Sequence, residues 1–413
     1  MADPKSYSDD HSSHADDDAD IGLTPLSHKP TEEPLLTKDE PPIFLRLYRR
    51  RNTKRRLCIA LVLVTTLFCV ALVGIGGVPD SVPRPNLKML EKPRWNVKNF
   101  KSLITFGDSY TDEGRYHYWY QHNKTYPPVG TFFPSSKQTR NWARYTIQYT
   151  GSSNGEEWKP QMTLYDYAFG GSWCSDEIIP RGPKKASVLE GGVPAFLNDL
   201  TAARAGTEEP YFQPSITASN AVFVIWIGTN DLGNFAYLSN EQTPGKFLAD
   251  FNECVFRSVD KLYAAGARTF VLMNTVPLQL TPLYSIKLPS GEEKVRDRWM
   301  APKAIEITKV VNDIYRYQTP YEFAVSNRYP DARVALFDVN SLMTDMYFSP
   351  EFYFNGTAPA NVTSFYTKTQ EDRLNPDSFM WRDDLHPSEQ THRNIAAELV
   401  RVLDGTSDYA QYW

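Results

Sequence analysis

Ser109 closes the tetrapeptide Phe106-Gly107-Asp108-Ser109, and its setting suits a nucleophile. The apolar run Leu103-Ile104-Thr105-Phe106 ahead of it reads as a buried strand. Thr111, Asp112 and Glu113 behind it suit the first turn of a helix. A serine at a strand-to-helix turn exposes its hydroxyl and keeps its own amide free to donate to an oxyanion. Asp383-Asp384-Leu385-His386 offers the base. An aspartate three residues before a histidine can fold back onto Nδ1 and hold the tautomer that leaves Nε2 free, which favours Asp383 over its competitor Asp384. Of the other histidines in this part of the chain, His117 and His122 lie in an aromatic segment suited to packing or substrate lining, and His392 reads as a surface residue of a helix. Gly228-Thr229-Asn230-Asp231 places a side-chain amide, Asn230, where it can donate to a developing negative charge. Gly170-Gly171-Ser172 lets backbone approach a reacting centre; Gly171 is the expected donor and Gly170 serves the turn. Together these are the parts of a covalent mechanism: a hydroxyl that attacks, an imidazole that takes its proton, and N–H groups that hold the oxyanion. Each motif alone has a plain reading as a turn; their joint occurrence does not.

Elements that would carry them alternate along the chain. Strands are predicted at 102–107, Thr163–Phe169, Ala221–Ile227, Arg268–Val276 and Ala332–Val339, with helices at Gly245–Ala265, Ala304–Arg328 and Ser388–Leu403. Ala221–Ile227 is apolar throughout, as a strand buried on both faces must be. Strand–helix alternation of this kind implies an α/β fold with a five-stranded parallel sheet covered on both sides. Ligands of such sheets bind beyond the carboxyl ends of the strands, where three of the four motifs fall.

The flanking sequence has a different character. Residues 1 to about 43 are polar and poor in aromatics, which predicts disorder. A cluster of Arg and Lys from Arg46 to Arg56 precedes the uncharged, apolar run 57–78, long enough for one transmembrane helix. The basic flank places the 1–56 tail in the cytoplasm and the bulk of the chain on the lumenal or extracellular side. Three acceptor sequons, at Asn123, Asn355 and Asn361, all lie beyond that anchor. Residues 79–99, rich in Pro and charge, read as a stalk, and 100–413 as one globular domain. Cys174 and Cys254 are the only cysteine pair in the lumenal part, and an oxidising lumen permits them to pair. No spacing of Cys, His or carboxylates suggests a metal site. The net charge of −5 averages an acidic tail and a basic collar and gives no sign of a nucleic-acid partner; nothing in the sequence sets an oligomeric state.

With Ser109, Gly171, Asn230 and His386 in that order, residues 100–405 resemble the SGNH (GDSL-type) hydrolase superfamily. The resemblance implies Ser109 as nucleophile, the amides of Ser109 and Gly171 with the Asn230 side chain as oxyanion hole, and His386 with Asp383 completing a triad. It also implies a flavodoxin-like three-layer α/β/α fold and chemistry without a cofactor. Phe106-Gly107-Asp108-Ser109-Tyr110-Thr111-Asp112-Glu113-Gly114-Arg115 and Thr139-Arg140-Asn141-Trp142-Ala143-Arg144-Tyr145 are similar to fungal acetylesterases of carbohydrate esterase family sixteen, the second block differing from the commoner Ser-Asn-Gly version. The expected activity is therefore hydrolysis of a small-molecule or oligosaccharide ester, with acetylated carbohydrates as substrates. The many aromatics between Tyr110 and Trp142 suit sugar stacking or core packing. The rival readings are a polysaccharide O-acetyltransferase, a lipid esterase and an inactive binding scaffold. Gly170-Gly171-Ser172-Trp173-Cys174 lacks the final glycine of a nucleophile elbow, against an α/β-hydrolase.

Overall fold

A computed structural model describes residues 95–122, 140–153, 158–181, 186–204, 206–286, 298–356, 359–366 and 375–413. The predicted tail 1–56, the apolar run 57–78, the stalk as far as residue 94 and the Asn123 sequon lie outside the described residues. Among the described residues no helix is long and apolar enough to cross a membrane.

Five strands run parallel: β1 Ser102–Gly107, β2 Thr163–Asp166, β3 Ala221–Trp226, β4 Thr269–Met273 and β5 Arg333–Phe337. Each coincides with a predicted apolar run. Every residue of β1, β3 and β4 is buried, as the lack of alternation in their sequences requires. The expectation of five strands is corrected by a sixth, β6 Ala410–Tyr412, which pairs antiparallel with β5. It escapes detection because Ala-Gln-Tyr is too short and too polar to form a run.

The sheet order is β6-β5-β4-β3-β1-β2. The parallel part thus reads 2-1-3-4-5, the flavodoxin-like winding, with its reversal of direction between β1 and β3. Among the described residues the α-helices are α1 Arg115–Gln121, α2 Trp142–Thr150, α3 Val193–Asp199, α4 Leu248–Ala264, α5 Met300–Pro320, α6 Val339–Phe348 and α7 Glu389–Leu403. Five of them pack as two groups, α2 against α7, and α4 against α3 and α5. Right-handed crossovers leaving the reversal point in opposite directions put these groups on opposite faces of the sheet.

Helix boundaries differ from expectation for local reasons. α4 starts at Leu248 rather than Gly245, because Gly245 has φ of 82° and Phe247 is extended, its N–H donating to Asp250 Oδ2 at 2.7 Å. α5 stops at Pro320, and the chain continues through one wider turn, Tyr321–Val325, with no amide hydrogen at Pro320 to satisfy. α7 begins where predicted, since Ser388 Oγ accepts the Thr391 N–H at 3.1 Å as an N-cap.

Cys174 and Cys254 form a disulfide, their Cα atoms 6.2 Å apart. It joins the segment after β2 to α4. Asn355 is exposed, whereas Asn361 is half-buried and its Oδ1 accepts the Thr363 and Ser364 amides at 3.2 and 2.8 Å.

Candidate active site

Ser109, Gly171 and Asn230 follow the carboxyl ends of β1, β2 and β3, the three strands around the reversal point. The last residue of β1 is glycine because a Cβ at Gly107 would strike the Trp226 carbonyl of β3. The chain turns at once: Thr111 and Asp112 amides donate to the Asp108 carbonyl, and Tyr110 N–H to Asp108 Oδ1 at 3.0 Å. Burial pushes the Asp108 carboxyl up to about 6, opposed by the Tyr110 amide and the neighbouring His386 and Thr229.

The candidate base arrives from the far end of the chain, on the loop between Trp381 and α7. His386 Nε2 lies 2.8 Å from Ser109 Oγ. His386 Nδ1 lies 2.8 and 3.0 Å from the two oxygens of Asp383. An ionised carboxylate only accepts, so this contact fixes the proton on Nδ1 and leaves Nε2 to accept from the serine. Asp383 Oδ1 also takes the N–H groups of Leu385 and His386 at 3.1 and 2.7 Å. Burial would raise its pKa, but the bonds and charge of His386 and the two amides outweigh burial and hold the carboxyl well below its usual range. Asp384 is exposed, and its carbonyl rather than its carboxylate is engaged, by the Leu283 N–H at 2.7 Å. Between the two candidate aspartates, the structure brings Asp383 to the imidazole.

Three candidate donors lie on the segments that follow β1, β2 and β3. Gly171 has φ of 79°, open to glycine and strained for other residues. Its N–H and that of Ser109 meet no protein acceptor among the described residues. The Gly170 N–H, by contrast, donates to Asp112 Oδ2 at 2.7 Å, so of the two glycines only Gly171 keeps its amide for a ligand. Asn230 Nδ2 donates to the Ser172 carbonyl at 2.8 Å, which orients the amide and spends one of its two hydrogens. Cys174 N–H donates to Asp231 Oδ1 at 2.8 Å, tying the glycine loop to the asparagine loop.

Asp112 and Glu113 do not occupy the first turn of a helix. α1 begins later, at Arg115 after Gly114, which has φ of 88° and offers no side-chain cap. Asp112 instead bridges the amides of Gly114 and Gly170, and Glu113 is paired by Arg144 Nε and Nη2 at 3.0 and 2.5 Å. Both acids therefore bind distant segments to the loop that carries Ser109. Asn141 does the same from the N-cap of α2, donating to the Thr111 carbonyl while its Oδ1 takes the Arg144 N–H. Sequence reasoning missed these tethers because a carboxylate after a strand end looks alike whether it caps a helix or spans to another loop. Among the described residues no cluster of His, Cys, Asp or Glu is arranged to hold a metal ion.

The GDSL-like lipase/acylhydrolase family model matches residues 103–399. This chain belongs to that family. It is 33% identical over 332 residues to a protein named acetylesterase from Hypocrea jecorina, covering 76% of this chain and 92% of that one. A second protein named acetylesterase, from Thermothelomyces thermophilus, is 28% identical over 313 residues, covering 74% and 89%. The structure of an acetylxylan esterase from Geobacillus stearothermophilus, 15% identical, aligns with a TM-score of 0.36 over 74% of this chain and 96% of that one. As a GDSL-like acylhydrolase the protein is a serine ester hydrolase.

The other histidines of this GDSL-like hydrolase lie elsewhere. His117 and His122 are exposed, and His122 stacks on Tyr118 with ring centroids 3.8 Å apart. His392 corrects the expectation of a surface residue: it is buried in α7, and its Nδ1 has no hydrogen-bond partner. Burial first, then the charges of Arg382 and His386, push its pKa down to about 3. The unfolded chain protonates this ring near pH 6.5, so the neutral ring costs stability progressively from there down to about pH 3 and nothing above. Asp108, Asp166 and Asp231, raised to about 6, 8 and 7, act in the opposite sense, weakening the fold as pH rises from about 4 through those values. We therefore expect His392→Leu, compared with the parent at the same pH, to gain about 3 kcal/mol at pH 4 relative to its effect at pH 7. Denaturant unfolding at both pH values checks this; equal shifts at the two would refute it.

Proposed function

We propose that the protein is a membrane-anchored acetylesterase that removes acetyl groups from carbohydrates through an acyl-enzyme. The observation that carries this reading is the 2.8 Å approach of His386 Nε2 to Ser109 Oγ, in a chain aligned along most of its length with acetylesterases. In the first half-reaction Ser109 Oγ attacks the ester carbonyl carbon as its proton passes to His386 Nε2. Asp383 stabilises the imidazolium. The amides of Ser109 and Gly171 and the remaining N–H of Asn230 hold the oxyanion. The tetrahedral species collapses, the C–O bond to the alcohol breaks, and His386 returns the proton to the departing oxygen. Water then attacks the acetyl-serine with His386 again as base, releasing acetate and restoring the hydroxyl. Sugar hydroxyls are the leaving groups in this reading. A support for the carbohydrate class is the Thr139–Tyr145 block shared in kind with fungal acetylesterases.

The full chain assayed with p-nitrophenyl acetate, a long-chain p-nitrophenyl ester and an acetylated xylo-oligosaccharide tests the substrate class. We expect acetate release from the first and third substrates without added acceptor. Faster long-chain turnover supports a lipid esterase instead, and turnover only with a sugar acceptor supports an acetyltransferase. The two neighbouring aspartates separate cleanly: Asp383→Asn is expected to lower kcat roughly 10³- to 10⁴-fold, while Asp384→Asn stays within about twofold because its carboxylate faces solvent. Comparable losses in both would remove the assigned orienting role of Asp383.

In the same reading residues 57–78 anchor the protein with its hydrolase domain in the secretory lumen or outside the cell. The exposed Asn355 sequon and the Cys174–Cys254 disulfide support an oxidising, glycosylating compartment. Protease protection of the hydrolase domain in sealed microsomes, with loss of apparent mass on glycosidase treatment, is the expected result; digestion of the domain in intact microsomes would reverse the topology.

A further inference from the structure

We propose that Tyr110 is the positioning residue that sets the spacing between the serine hydroxyl and the imidazole. This rests on Ser109 and His386 being the reacting pair.

The loop Arg382–His386 is secured atom by atom. The Asp384 carbonyl takes the Leu283 N–H at 2.7 Å, and the His386 carbonyl takes the Arg382 N–H at 2.9 Å. The Leu385 and His386 amides go to Asp383. The Leu385 carbonyl accepts the Tyr110 hydroxyl at 2.6 Å. Of these ties, the Tyr110 bond alone comes from the residue bonded directly to Ser109. It closes a ring: Ser109 to Tyr110 through the peptide, Tyr110 Oη to the Leu385 carbonyl, Leu385 to His386 through the peptide, and His386 Nε2 back to Ser109 Oγ at 2.8 Å. A closed ring of two peptide links and two hydrogen bonds leaves little freedom for the hydroxyl and imidazole to drift apart.

The tyrosine is itself well fixed. Its ring is 1% exposed, meets Trp226 edge to face with centroids 5.4 Å apart, and lies 5.8 Å from the His386 ring. Its N–H is held by Asp108. Burial and the Asp108 charge raise the phenol's pKa, so it remains protonated and donates throughout the working range. Reactive geometry tolerates little error, and a misplacement of about 1 Å can lower a rate by roughly a hundredfold.

Tyr110→Phe in the full chain keeps the ring and opens the circuit. The expected result is a fall of about tenfold in kcat for p-nitrophenyl acetate, counted per serine labelled by a fluorophosphonate, with KM within about twofold. Tyr110→Leu, which also removes the ring beside His386, falls further. A merely structural tyrosine would instead lower the fraction of labelled serine and leave kcat per labelled site unchanged, which overturns the proposal, as does a rise in KM at constant kcat. An active parent with an unaltered Tyr110→Phe variant overturns this assignment alone. A parent that neither takes the label nor turns over ester overturns the Ser109 reading and this one with it.

Discussion

Ser109→Ala lowers ester turnover by roughly 10⁴- to 10⁶-fold, His386→Ala by a similar factor, and the double variant by no more than either alone. The reason is the pairing at 2.8 Å: a hydroxyl without its base and a base without its hydroxyl are equally unable to form the acyl-enzyme. Ser109 is only partly buried and carries no packing of the core, so Ser109→Ala should unfold close to the parent's midpoint, whereas His386→Ala leaves Asp383 without its imidazole partner and should unfold somewhat earlier. Residual rates are expected from the proposed oxyanion donors, which the substitutions leave in place. Initial rates on p-nitrophenyl acetate, together with denaturation curves, check both halves of the expectation. Ser109→Ala retaining a few per cent of parental activity would sink the mechanism, and losses that multiply in the double variant would mean that the two residues act independently.

Replacing Cys174 and Cys254 together by alanine is expected to cost about 4 kcal/mol of stability, because the bridge closes a loop with a sequence separation of 80 residues. Both sulfurs are buried, so the variant also leaves a small apolar gap beside α4. Activity should fall as well. Cys174 stands three residues after Gly171, and its amide holds Asp231, the neighbour of Asn230. Freeing Cys174 from α4 therefore loosens the loops that carry two of the three proposed oxyanion donors, and kcat should respond more than KM. Urea titration and steady-state kinetics of the variant, and of the parent before and after reduction, test this. An unchanged midpoint would show that the bridge constrains nothing the rest of the fold does not already fix.

The five parallel strands were legible because burial on both faces demands uninterrupted apolar runs, and uninterrupted runs need no period to be seen. The Ala221–Ile227 stretch is the clearest case. Ser109, Asp383, His386, Gly171 and Asn230 stood out as candidates because each stands in a short motif at a strand end or before the last helix. Other features depend on distance in sequence. Nothing local says that Asp112 reaches Gly170, or that the Tyr110 hydroxyl reaches Leu385, because those contacts exist only after the strands have been brought side by side. β6 was hidden by its polar, three-residue length. His392 was a different kind of miss. It lies three residues before Ile395 and seven before Leu399, both fully buried, so helical spacing already put it on the inner stripe of α7. Weight given to the polarity of histidine obscured that spacing.

The hydroxyl enters the fold with the first strand, while its imidazole partner enters 277 residues later, after all five parallel strands. A growing polypeptide therefore carries an unassisted alcohol for most of its synthesis, chemically as dull as any other serine. In the proposed mechanism reactivity must wait until the segment around residue 386 has been made and lies beside Ser109. On the proposed mechanism a half-made chain that stops short of residue 386 has no base for its serine and cannot strip esters.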